Sequence, residues 1–301
     1  MDIFLLATDT PVKNAFLEQF YARSRSYACL PDANFNDIPF SQGSLLIDTV
    51  PLFNLQNGSE VDAGQHMALW EQCAERGVKI VFLSDGRVFD GSVPAVFQEQ
   101  DEPLAASDAA SQLLSLEQHI LGLDGEHLVL RTGSVFHGHS DNFLGSCVEA
   151  LRTTVTENQQ KLAVAESRRH CPTYLGDLVR VVSGIVDQLE HGAENTGVYH
   201  YNSAGAAANL EFMQVLFSTL VHEREHYGLP DFTEFDLEMV ESLSGLSIRP
   251  SVPALKCEAL LMDFGIRQIP WRSFLLPALN TYFNKVNREE NKPLTMQEVK
   301  L

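Results

Sequence analysis

No apolar run in the 301 residues approaches the roughly 18 that a membrane-spanning helix needs, so no spanning segment is expected. Cysteine is scarce: Cys29, Cys73, Cys147, Cys171 and Cys257 are scattered, odd in number and without paired spacing. That pattern predicts reduced thiols in a cytoplasmic protein. Positive charge is short, with 21 basic residues against 40 acidic ones and a formal charge of −19. Such a field repels phosphate backbones and anionic membrane surfaces, which argues against nucleic acid and membrane as partners. Its ordinary effect is solubility. An acidic chain holds a small anion only where donors and positive charge are concentrated. The stretch from Met1 to Ala7 is acidic and its apolar part short, so it reads as a first strand and not as a signal peptide.

What is present is ordinary globular material, 45% hydrophobic and 20% charged, long enough for one large domain or two small ones. Short apolar runs at 3–7, 27–30, 44–49, 78–83, 127–132, 161–164 and 197–201 read as strands. Helical periodicity separates most of them, at 12–21, 64–76, 106–121, 143–151 and 181–189. This alternation predicts a parallel sheet covered on both faces. Residues 31–43 are loop-like, so a crossover helix is expected to be missing there. In such sheets ligands bind at the carboxyl ends of the strands, which points to Ser84 through Arg87. The first turn, Thr8-Asp9-Thr10-Pro11-Val12-Lys13-Asn14, contains no glycine. A dinucleotide-binding turn needs glycines to bring amides against a pyrophosphate. Here Asp9 adds negative charge, Pro11 removes an amide, and Thr8 or Thr10 suits a helix cap.

Several landmarks follow in order: Ser84-Asp85-Gly86-Arg87-Val88-Phe89-Asp90-Gly91, Arg131-Thr132-Gly133-Ser134-Val135-Phe136, Pro172-Thr173-Tyr174 with Asp177-Leu178, and Gly197-Val198-Tyr199-His200. Arg249-Pro250, Phe264-Gly265-Ile266 and Trp271-Arg272 complete the series. Together they resemble the dTDP-4-dehydrorhamnose reductases, a branch of the extended short-chain dehydrogenases whose signature is Ser-Thr-Asp-x-Val-Phe-x-Gly. The resemblance covers most of the chain. It implies a Rossmann-like parallel sheet with helices on both faces, from residues 1–155 completed by about 172–202. A smaller C-terminal substrate-binding-type α/β domain would come from 156–171 and 203–301. It also implies NAD(P) as cofactor, Thr8, Asp9, Thr10, Asp48, Thr49 and Ser84 as cofactor-side positions, and a nucleotide-sugar ligand.

The family's chemistry requires a tyrosine that protonates a carbonyl oxygen and a lysine four residues on, one helical turn away. Alignment from Pro103-Leu104 puts Ser107 and Ser111 at those positions, and no Tyr-x-x-x-Lys occurs in the chain. Ser84 matches the family serine, while Asp85 stands where threonine is usual and sets a negative charge beside a developing oxyanion. The cofactor-lining Asn-Ala-Ala-Ala reads Asp48-Thr49-Val50-Pro51. Arg168 and His170 replace a glutamine and a glycine, Val252-Pro253 replaces Asn-Ser, and Lys256 and Ala259 replace an aspartate and a lysine. The expectation is a catalytically degenerate member acting as a binding or regulatory subunit, with a protein partner or a nucleotide-sugar-like ligand. The regulatory β subunit of methionine adenosyltransferase is a precedent within the resemblance.

Two other readings are carried forward. The first is an active NAD(P)H-dependent reductase with Tyr174 or His139 as proton donor. The second is a zinc hydrolase through His222-Glu223-Arg224-Glu225-His226, which fits His-Glu-x-x-His, with Glu234, Glu238 or Glu241 as third ligand. His137-Gly138-His139-Ser140-Asp141 is expected to be a solvated loop. Arg87, Arg131, Arg168 and Arg249 are the anion-binding candidates, with Arg169 beside them.

Overall fold

The computed structural model describes residues 1–8, 10–30, 40–89, 96–139, 142–157, 161–165, 169–229, 236–240 and 252–290. β1 (Ile3–Leu6) leads into α1 (Thr10–Ala22), followed by β2 (Tyr27–Leu30) and β3 (Leu45–Asp48). α2 (Val50–Gln56) and α3 (Ala63–Glu75) precede β4 (Lys79–Asp85), which runs into a 3₁₀ turn at Gly86–Val88. Next come α4 (Asp108–Leu121), β5 (His127–Thr132), β6 (Ser134–Phe136) and α5 (Phe143–Thr156). β7 (Lys161–Ala165), β8 (Pro172–Tyr174), α6 (Leu175–Glu190) and β9 (Gly197–Tyr201) follow. The last elements are α7 (Asn209–His222), α8 (Arg224–Tyr227), β10 (Asp236–Val240), α9 (Glu258–Phe264) and α10 (Arg272–Glu290).

The main sheet has the order β2-β1-β3-β4-β5-β9, and every pairing is parallel. A strand covered on both faces must be apolar on both, and β1, β3 and β5 are buried along their whole length. Side chains of β4 alternate between two cores. Val81 and Leu83 join Leu5, Ile47, Phe16 and Val182 under α1 and α6. Ile80 and Phe82 join Trp70, Cys73, Leu113 and Leu116 under α3 and α4. The covered parallel sheet predicted by the alternation is therefore present, and with it the Rossmann-like fold that the resemblance implies.

A third core gathers α5, α7 and α10 through Leu144, Phe212, Trp271 and Tyr282. Beside it lie two parallel strand pairs, β7 with β10 and β6 with β8. Gly133 lets the chain leave β5 for β6, because a Cβ there would collide with the Cys171 carbonyl. All five cysteines are free thiols. No helix among the described residues is long and apolar enough to cross a membrane.

One element departs from expectation. No helix is expected between residues 49 and 64, yet α2 starts at Val50, with Pro51 in its first turn. Proline is preorganised for that position and loses no hydrogen bond there.

Candidate ligand site at the carboxyl rim of the sheet

Strand order reverses between β1 and β3, since β2 lies on one side of β1 and β3, β4 and β5 on the other. Parallel sheets hold ligands outside the carboxyl ends at such a point. Here the protein's own side chains bridge that rim. The Thr49 amide and hydroxyl both donate to the Leu6 carbonyl, at 3.1 and 2.9 Å. Thr8 donates to Asn54 Oδ1 at 3.0 Å, tying the first turn to α2. Asp48 is fully buried, and an ionised carboxylate offers only acceptor sites. Those sites take the Val50 amide at 3.1 Å, His66 Nδ1 at 2.7 Å and Trp70 Nε1 at 3.1 Å. Thr10 is exposed at the start of α1. Asp9 lies outside the described residues.

At the end of β4 the bare carboxylate expected of Asp85 is corrected, because Arg87 neutralises it. Arg87 Nε lies 2.9 and 2.8 Å from its two oxygens, and the Arg87 amide donates to Oδ1 at 2.9 Å. Gln56 reaches Asp85 from α2 at 3.3 Å, and Arg87 returns a bond to the Leu55 carbonyl at 3.3 Å. Ser84 alternates to the other face, fully buried beside the Glu117 carboxylate of α4. Glu117 holds Arg131 in a forked pair with contacts of 3.1, 3.0 and 2.7 Å, both side chains almost fully buried. Burial pushes the Glu117 carboxyl up, against the opposing pull of Arg131. His200 lies 3.5 Å from Arg131, and burial followed by that positive charge lowers it to about 3. It is therefore neutral at pH 7.

The arginines do not converge. Arg87 is held by Asp85, Arg131 by Glu117, and Arg169 by the Ala206 carbonyl and Glu211. Arg168 and Arg249 lie outside the described residues. The pairing partner of Arg131 was not singled out from the sequence. Glu117 sits two helical residues past Ser115 with no motif to mark it, and only its burial on α4 reveals it.

The catalytic positions are occupied differently again. Ser107 is the N-cap of α4, accepting from the Ala110 amide at 3.2 Å in extended conformation, and both Ser107 and Ser111 are exposed. Of the tyrosines, Tyr201 donates to Asp177, Tyr199 to Asp263 at 2.8 Å, Tyr227 to Asn280 at 2.8 Å and Tyr282 to Glu149. Burial and these acceptors raise the phenols of Tyr201 and Tyr282 and push Tyr199 to about 12. Tyr227 also rises to about 12, through burial and Glu223. Tyr174 rises through burial and Glu18, stacked 5.1 Å from Phe274. A proton donor for carbonyl reduction needs the opposite shift.

A strap at 252–257 covers the other half of the rim. A Cβ on Gly86 would stand 2.9 Å from Val252 and 3.0 Å from Leu255, so glycine admits the strap to the end of β4. The Val252 amide reaches Ser134 Oγ at 3.4 Å and the Leu255 amide reaches Asn202 Oδ1 at 3.0 Å. Phe97 pairs with Leu255 from the other side.

The histidine motifs resolve as follows. Of the loop expected to be solvated at 137–141, His137 and Gly138 are buried and His139 half-buried, with Asn142 bonded to His137 Nδ1 at 3.0 Å and to the His137 and His139 carbonyls. Gly138 lies against α10, where a Cβ would strike the Ala278 carbonyl. Ser140 and Asp141 lie outside the described residues, as do Glu234 and Glu241. α7 ends at His222 and α8 begins at Arg224, so a break at Glu223 separates His222 from His226, both exposed. Among the described residues no group of three His, Cys, Asp or Glu side chains is placed to hold a metal ion.

Comparison with known proteins bears on this rim. Residues 54–284 match the family model described as the RmlD substrate binding domain. The dTDP-4-dehydrorhamnose reductase of Sinorhizobium fredii is 26% identical over 206 residues, 68% of this chain and 66% of that protein. The chain thus spans just under two thirds of that relative's length. A Bacillus anthracis dTDP-4-dehydrorhamnose reductase solved in complex with NADP superposes with a TM-score of 0.70, at 15% identity, over 93% of this chain and 98% of that one. MoeE5 in complex with UDP-glucuronic acid and NAD superposes at 0.66, with 15% identity, over 96% and 100%. With its sheet, its landmark order and the matched span in agreement, the chain belongs to the RmlD family of dTDP-4-dehydrorhamnose reductase-like proteins, within the extended short-chain dehydrogenase/reductase superfamily.

Proposed function

We propose that this chain is a non-reducing member of the family, a binding or regulatory subunit that engages a nucleotide-sugar-like ligand or a protein partner. The observation that carries the reading is that no Tyr-x-x-x-Lys occurs in the chain; on the resemblance the capping serine Ser107 would stand at the tyrosine position, with Ser111 one turn on. A serine hydroxyl is far too weak an acid to serve in place of a phenol prepared by a lysine. The upward-shifted tyrosines offer no substitute. The switch-point crevice supports the same reading. Thr8–Asn54, Gln56–Asp85 and Arg87–Leu55 bridges occupy the rim where a dinucleotide would lie, and the first turn contains Pro11 and no glycine. These residues do not fit NAD(P). On this reading 156–171 and 203–301 form the ligand-side domain, and the protein acts in the cytoplasm.

The rival is an active reductase, which the NADP and nucleotide-sugar complexes of the structural neighbours favour. Calorimetric titration with NADPH and NADH, followed by an assay with dTDP-4-dehydrorhamnose, separates the two. The expected result is no binding near the micromolar range of working reductases and no turnover. Micromolar affinity with cofactor oxidation would overturn the proposal.

A further inference from the structure

We infer that the strap at 252–257 is a lid, shut here over the carboxyl ends of β4 and β9, which lifts as a unit while the main sheet stays folded. A ligand of that rim then competes with the protein's own segment, whether or not the chain reduces anything. The strap is built unlike the elements around it. Val252, Pro253, Ala254 and Leu255 are buried, yet none of them is part of a strand. The backbone meets its neighbours at isolated points, Leu255 against Phe97 and Pro253 against His170. The Phe97 amide donates to the Ala254 carbonyl at 3.1 Å, and the Lys256 amide to the Phe97 carbonyl at 2.8 Å. Val252 and Leu255 donate to side chains, Ser134 Oγ and Asn202 Oδ1, and the Lys256 carbonyl faces His200 Nδ1 at 3.2 Å. A segment held by scattered single bonds, outside any ladder, belongs to the low end of local stability.

The apolar seat of the strap is Gly86. That residue does not adopt the left-handed backbone that favours glycine, so its own conformation suits any side chain. What glycine provides there is room, since an added Cβ would stand 2.9 Å from Val252 and 3.0 Å from Leu255. Both apolar anchors thus rest on one missing side chain, and a displacement that frees one frees the other. The strap also covers two thiols. The Leu255 carbonyl accepts from Cys257 Sγ at 3.8 Å, and the Leu255 backbone faces the Cys171 thiol. Burial pushes the Cys171 thiol up to about 11 and that of Cys257 to about 12. Under the shut lid both are inert, because the thiolate is the reacting form. Once it lifts they return towards the ordinary value of about 8.5.

Labelling of the full chain with N-ethylmaleimide, read residue by residue in a mass spectrometer, tests the lid. Cys73 on α3 and Cys147 on α5, both buried, serve as references. Expected is labelling of Cys171 and Cys257 together and well ahead of both references. Low urea should leave the two lid rates almost flat, since a strap of this length exposes little surface on opening. It should raise the reference rates steeply, because those thiols wait for unfolding. Gly86→Val should speed labelling of Cys171 and Cys257 about tenfold, the usual size of an overpacking effect. One common rate for all four thiols, or equal steepness in urea, means that the strap opens only by unfolding and overturns the inference. So does fast labelling of one lid thiol without the other, or a Gly86→Val rate equal to that of the natural chain. If that variant does not fold, the urea comparison on the natural chain decides.

Discussion

The two ends of the main sheet carry their charges in opposite ways. At the carboxyl rim Asp85–Arg87, Glu117–Arg131 and Asp48–His66 are buried pairs, with side-chain exposures of 13% or less. At the amino rim Arg23 and Arg25 both hold Asp187, Arg25 reaches Glu190 at 2.8 Å, and Lys79 pairs with Glu126. Those carboxylates are 31% to 41% exposed and border open cavities of about 540 and 290 Å³. A buried charge is tolerable only while its partner remains, whereas an exposed pair exchanges one solvent contact for another. The rim where a related reductase would hold its ligand is thus the one where Asp85, Glu117 and Asp48 are each buried against a basic side chain. Those two cavities lie at the end of the sheet where ligands are not normally bound.

The largest expected effect comes from Glu117→Gln, which leaves the Arg131 charge buried and uncompensated. Urea unfolding should show a loss of about 3–5 kcal/mol, and Glu117→Leu combined with Arg131→Met should recover most of it. If the double replacement is as damaging as the single one, the pair is not the source of the cost.

The next effect is pH dependence. His170 is lowered to about 4, chiefly by burial, and His200 to about 3. The folded state therefore refuses protons that the unfolded chain accepts from pH 6.5 downward. Stability is complete above that value and falls as the pH drops towards 4 and then 3, by roughly 1.4 kcal/mol per unit for each group. Unfolding measured between pH 7 and 4 should be flatter for His170→Gln than for the natural chain. Equal slopes would mean that His170 titrates normally.

The smallest effect belongs to the amino rim. Asp187→Asn should cost under about 1 kcal/mol, and raised salt should shrink the difference further. A loss matching that of Glu117→Gln would erase the contrast between the two ends.

Much of this was legible in the residues. The runs 127–132 and 197–201 coincide with β5 and β9, because short, largely apolar runs bounded by turn residues suit strands covered by helices. The absence of any Tyr-x-x-x-Lys was equally plain, since a missing functional group is visible without a fold. α2 was not legible: Val50-Pro51-Leu52-Phe53 has apolar character without a helical period. Nor did Arg131 disclose its partner. Glu117 lies 14 residues earlier, and only the packing of α4 across β4 and β5 brings the two together.

By itself, then, the sequence determined the parallel α/β architecture, the family and the absence of a Tyr-x-x-x-Lys pattern, because periodicity and residue identity are local properties. Tertiary structure alone decided that Asp85 is neutralised by Arg87, that Val252 and Leu255 lie on Gly86, and that Arg169 and Arg272 share Glu211. Charge balance and closure depend on which distant segments share a volume, and long-range packing sets that.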